Sequence, residues 1–231
     1  MDKSLHSGPI WRESADTRSA RVRRVCETLQ SAYGRPRLGN PRESLDDLVY
    51  IILSNKTAPM MARRTFADLR RVFPRWDELL RSRPLLLKSV LRPAGLSTVK
   101  SGQIRRALSQ IARDFGHCSL RPLLRWSIPE IEKYLCSLPG VSMKVAKCVM
   151  LYTMKAQVLP VDSHVHRVAM RLGWTTRRRA DQCHRDLEAL VPPRKRFAFH
   201  VDCIVHGRTV CRPTRPSCEG CCIRKYCRYT G

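Results

Sequence analysis

The chain has 231 residues, a mass of 26.6 kDa and a formal net charge of +25 at neutral pH. That length holds one large or two small domains, and 43% hydrophobic with 27% charged residues excludes a disordered chain. No apolar run approaches a membrane span, and the opening MDKSLHSGPIWRES lacks the apolar centre of a signal peptide, so a cytoplasmic protein with a polyanionic partner is the expectation (nucleoid-associated in a bacterium).

In chain order, roughly residues 1–17 read as a frayed leader. Val22, Val25, Cys26 and Leu29 then recur at helical spacing, with Gly34 placed to end the helix. Ser44-Leu45-Asp46-Asp47 reads as a helix start before the apolar run LVYIIL. Phe66, Leu69 and Phe73 mark one helix face; Ile104, Leu108, Ile111 and Phe115 mark another, which Gly116 closes. Ser127-Ile128-Pro129-Glu130 is a capping box opening a helix with Ile128, Ile131 and Leu135. Val145, Cys148, Val149 and Tyr152 line the next. No strand pair and no Asn-Gly or Asp-Gly hairpin signal occurs, so the fold class is all-α.

Four features carry chemistry. Leu138-Pro139-Gly140-Val141-Ser142 links two short helices by a forced turn, and the free N–H groups at the second helix's start suit a phosphate. An ordinary helical hairpin reads the same way. Lys144 falls in that helix's first turn, where a cation opposes the helix dipole. A lysine there is either a phosphate contact, a solvated side chain or an amine nucleophile. Asp162 precedes a helical stretch and reads as an N-cap, a rigid and therefore well-aimed carboxylate. His164 and His166 beside it read as packing or cap-supporting groups.

The last feature is Cys211-x6-Cys218-x2-Cys221-x5-Cys227. Five of eleven cysteines fall in the final 21 residues, which reads as metal ligation rather than a disulfide framework. Four thiolates can close on zinc or on an iron–sulfur cluster. Cys222 adjoins Cys221 and points elsewhere. Arg212 and Arg215 between the first two ligands give a basic loop suited to phosphate contact.

The hairpin, its lysine, an aspartate 18 positions on and the cysteine spacing, in that order, resemble the endonuclease III family of helix-hairpin-helix DNA glycosylases with a 4Fe–4S cluster. LPGVSMKVA is similar to the family's LPGVGRKTA, and VDSHVHRV to its VDTHIFRV. The similarity runs from about Leu45 to Tyr229. It implies that Lys144 is the nucleophile and Asp162 the catalytic aspartate. It implies that Cys211, Cys218, Cys221 and Cys227 hold the 4Fe–4S cluster, and that amides near Gly140, Val141 and Ser142 hold backbone phosphates. The segment from Ile51 to Thr57 resembles the one that inserts a glutamine into DNA, with Lys56 at that position. Gly95-Leu96 resembles the loop whose leucine wedges beside the extruded nucleotide. Ser142 replaces the second hairpin glycine. SLRPLLRWSIPE and LPVDSHVHRVAMRLGW are also similar to plant 5-methylcytosine glycosylases.

The resemblance implies a two-lobed fold with Lys144 and Asp162 on opposite lips of a cleft. Residues 1–36 would pack with the C-terminal lobe, 37–155 would form the lobe with the hairpin, and 156–231 the lobe with the cluster. It implies a monomer that acts on double-stranded DNA carrying a damaged base or an abasic site. The implied function is base excision with AP lyase activity, with an oxidised pyrimidine as the family's usual base. The alternatives are uracil, mismatched thymine or 5-methylcytosine as substrate, a glycosylase without lyase activity, and a non-catalytic DNA-binding module. The adenine-mismatch form is opposed by Lys144 itself and by Ile52 near the place of that enzyme's glutamate.

Overall fold

A computed structural model describes residues 14–34, 36 and 38–229. The first 13 residues of the leader lie outside the described residues. In chain order the helices are α1 (Ala15–Tyr33), α2 (Ser44–Ser54), α3 (Pro59–Val72), α4 (Trp76–Arg81), α5 (Pro84–Leu91), α6 (Ser97–Phe115), α7 (Ile128–Ser137), α8 (Met143–Tyr152), α9 (Ser163–Arg171), α10 (His184–Leu190) and α11 (Arg196–Thr209). No strand occurs among the described residues, so the fold is all-α. No helix among them is long and apolar enough to cross a membrane.

The chain divides into two compact units. One, residues 39–156, holds α2 to α8. Its centre is α2, which packs on α3, α6 and α8. That position explains why LVYIIL is apolar on every side: Leu48 through Leu53 are all buried. The helix start differs from the expectation in its cap. Glu43 is the N-cap, its Oε2 accepting from Leu45 N at 2.8 Å and Asp46 N at 2.9 Å. Ser44 is the first helical residue, and its Oγ accepts from Thr153 Oγ1 at 2.9 Å, which fastens α2 to the end of α8. The capping box at Ser127 and Glu130 is present, and Ile131 and Leu135 are buried. Ile128, expected on that face, is exposed in the first helical turn.

The other unit, residues 1–38 and 157–231, shares one core between α1 and the C-terminal helices. Val22, Val25, Cys26 and Leu29 pack with Val165, Val168, Leu172, Phe199 and Cys203. Here α11 lies against both α1 and α9. The approach of α9 to α11 needs Gly207, where a Cβ would meet His164 Nδ1 at 2.6 Å.

Candidate active site

The hairpin of α7 and α8 turns at Gly140, whose φ of 83° only glycine adopts without strain. There is also no room for a side chain: a Cβ at Gly140 would lie 2.8 Å from Gln103 Cγ on α6. Val141 is buried and its N–H donates to Leu138 O at 3.1 Å, so this amide closes the turn. Ser142 is the N-cap of α8, exposed, with its hydroxyl 3.5 Å from Val145 N. Lys144 stands in the first turn of α8, half-buried, with a charge that acts on the buried carboxyl of Asp47.

Two loops of the same unit present Lys56 and Leu96. Both are exposed, and both sit in the left-handed backbone region, φ 54° and 49°. Among the described residues only two other non-glycine residues have positive φ, and one is Arg215 of the cysteine loop. A non-glycine residue held this way is strained by about 1 kcal/mol, and such strain gathers at functional sites. Three of the four strained residues are ones that the sequence picks out as DNA contacts.

Asp162 caps α9 in the other unit. Its Oδ1 accepts from His164 N at 2.9 Å and Val165 N at 2.8 Å. The carboxylate is thus aimed by its own helix. His166 Nε2 pairs with Arg177 O at 2.8 Å, and burial holds the His164 imidazole below its usual pKa.

Cys211, Cys218, Cys221 and Cys227 line a single cavity, and Cys222 is not in its wall. Among the described residues no three His, Cys, Asp or Glu side chains are arranged to hold a single metal ion. The four thiols share the wall of that one cavity. Burial pushes the Cys221 thiol up to about 11. Arg171 holds the cysteine loop from α9: its Nη1 donates to Cys211 Sγ at 3.1 Å and to Arg212 O at 2.9 Å. Arg167, one turn earlier on α9, donates to Cys211 O at 2.8 Å and Gly207 O at 2.7 Å. The sequence reading missed both arginines. Their i, i+4 spacing just after Asp162 was the available signal. Arg212 and Arg215 are exposed on the same loop, Arg212 donating to Ser217 Oγ at 3.2 Å.

Comparison with known proteins bears on the family and the fold. The family model described as HhH-GPD superfamily base excision DNA repair protein matches residues 14–193. A protein of Arabidopsis thaliana that carries a DNA glycosylase name is 30% identical over 167 residues, 71% of this chain and 56% of that protein. The chain thus spans little more than half the length of that relative. Endonuclease III of Thermotoga maritima is 26% identical over 182 residues, 79% of this chain and 81% of the relative. A non-covalent endonuclease III–DNA complex has the same fold, with a TM-score of 0.78 at 21% identity, covering 91% of this chain and 95% of that one.

Proposed function

The chain belongs to the HhH-GPD superfamily of base excision DNA repair proteins, and from that premise we propose that it is a DNA glycosylase with AP lyase activity that removes an oxidised pyrimidine. The observation that carries this reading is Lys144 in the first turn of the hairpin's second helix. The hairpin's phosphate-facing amides, at Gly140 and Ser142, then hold the DNA backbone beside the amine that attacks it. A base inside the duplex shields its sugar, so the nucleotide must be extruded, which costs least for a damaged and poorly stacked base.

The Lys144 amine attacks C1′ of the extruded nucleotide. The glycosidic bond breaks and its electron pair leaves with the base. Asp162 accepts a proton from the amine and stabilises the positive charge that grows on the sugar. The sugar opens to a Schiff base on Lys144. Loss of a proton from C2′ then breaks the C3′–oxygen bond and nicks the strand on the 3′ side. Lys56 and Leu96 fill the gap left in the stack. Cys211, Cys218, Cys221 and Cys227 fit a 4Fe–4S cluster, which when bound supplies a rigid covalent frame for the loop carrying Arg212 and Arg215.

The test is a panel of duplexes, each with one modified base, scored separately for base release and for strand cleavage. Release of an oxidised pyrimidine with coupled nicking is expected. Preference for uracil, mismatched thymine or 5-methylcytosine would reassign the base. Release without nicking would remove the lyase step.

A further inference from the structure

Lys100 lies on α6 and is buried, 2% exposed. Nothing in the proposed chemistry uses it. Its Nζ donates to Thr57 Oγ1 at 2.5 Å and to Ala94 O at 2.9 Å. The Thr57 hydroxyl also lies 2.8 Å from Ala94 O and 3.0 Å from Leu53 O. Thr57 directly follows Lys56, and Ala94 is two residues before Leu96. The Lys100 backbone N–H in turn donates to Leu96 O at 2.9 Å. One side chain therefore joins two loops, at Thr57 and at Ala94 37 positions on, beside their exposed tips. Both tips have left-handed backbone at a non-glycine residue, a conformation that persists only where the surroundings over-determine it.

We propose that Lys100 is a positioning residue that staples the Lys56 and Leu96 loops into one rigid two-pronged wedge, so that both tips enter the DNA stack together. An ammonium taken out of water at this depth is costly, and burial lowers its pKa, so a structural lysine is an expensive way to fill the space. What an ammonium supplies and an apolar chain does not is three donors on one atom. Two of them reinforce the direct Thr57–Ala94 hydrogen bond between the loops, one at the Ala94 carbonyl and one at the Thr57 hydroxyl, and close a three-membered network. Prising a base from a stack takes a rigid tool, and a displacement of about 1 Å in a positioning group slows a reaction by about a hundredfold.

This inference rests on the DNA-insertion part of the function proposed above, and its test needs no catalysis. The probe is a duplex with a tetrahydrofuran abasic analogue and 2-aminopurine as the opposite base. Insertion of the wedge unstacks the 2-aminopurine, and its fluorescence rises. Lys100→Met keeps the volume and removes the donors; Thr57→Val removes the hydroxyl that Lys100 meets. Both variants are expected to bind this duplex with the wild-type affinity, because the hairpin phosphate contacts are untouched, and to lose most of the fluorescence rise. In base release the loss is expected to be tenfold or more, about the scale of a misplaced group, for a lesion opposite guanine and much smaller for one opposite a reduced abasic site, where no pair must be broken. A fluorescence rise equal to the wild type in both variants would overturn the staple, and so would equal slowing on the two substrates. Wild-type protein that inserts but releases no base would overturn the glycosylase reading and leave the staple standing.

Discussion

Lys147 Nζ on α8 lies 3.1 Å from Glu132 Oε2 on α7. Lys147 is 3% exposed, so this ion pair joins the two arms of the hairpin from inside. Lys144 stands one turn earlier on the same helix and is half-buried. The two lysines of α8 therefore divide the work. One joins the arms of the hairpin, and the other sits at the end of the helix next to the Gly140 turn.

Glu132→Ala should destabilise the protein by about 1–2 kcal/mol, between the scales of an exposed and a buried pair, because Lys147 is buried while Glu132 is partly exposed. Urea denaturation followed by circular dichroism measures it. Lys147→Gln should be less stable but, per folded molecule, as active as the wild type. A loss of stability well below 1 kcal/mol in Glu132→Ala would show that the pair does not fix the hairpin.

Asp162 is a cap in the structure, and the proposed mechanism also makes it a base. Asp162→Asn separates the two roles, because asparagine caps as well as aspartate. Thermal stability should stay within about 1 kcal/mol of the wild type. Single-turnover base release should slow by about 10²-fold or more, the range for a positioned acid–base group. Near-wild-type release would leave Asp162 with capping alone.

Much of this was legible from the chain. The face of Val22, Val25, Cys26 and Leu29 is buried as its spacing indicates, and Gly34 and Gly116 end their helices with positive φ. Local rules decide such features, and local rules can be read from a sequence. The cap of α2 could not be read so well: Ser44 looks like the better cap, but its hydroxyl is engaged by Thr153, 109 positions away. The left-handed backbone at Lys56 was also hidden, because its neighbour Asn55 is the residue that usually takes it. Lys100 and Asp47 look like ordinary surface charges in sequence. Only the packing of α2 and α6 inside their unit buries them.

Asp47 gives a pH-dependent stability. It is fully buried, with Oδ1 accepting from Asn40 Nδ2 at 2.6 Å, and desolvation raises its pKa from 3.8 to about 7. Between pH 4 and 7 the unfolded chain has lost this proton while the folded chain keeps it. Its contribution therefore favours folding at low pH, falls as pH rises through that window and is flat above it. Asp47→Asn should remove the trend, gaining on the wild type by a few kcal/mol on the order set by the linkage relation. Denaturation curves at pH 5 and pH 8 measure the gap. A gap that shrinks as pH rises would contradict the buried neutral carboxyl.

The cysteine loop makes its own division. Cys221→Ala opens the wall of the four-thiol cavity and should yield protein without iron or brown colour. Cys222→Ala and Cys203→Ala should keep both, since neither side chain lines that cavity. Iron and sulfide analysis after anaerobic purification, beside the visible spectrum, reads the outcome. Stoichiometric zinc without iron in the wild type would replace the cluster with a single-ion site.

The central claim is that the Lys144 amine forms the bond to the sugar. Borohydride added while the protein acts on lesion-bearing duplex reduces a Schiff base to a stable amine and leaves the protein covalently on the DNA. The wild type and Lys147→Gln should trap, whereas Lys144→Gln should bind the duplex yet neither trap nor cleave it. Trapping that survives in Lys144→Gln would place the nucleophile on another residue and contradict the account.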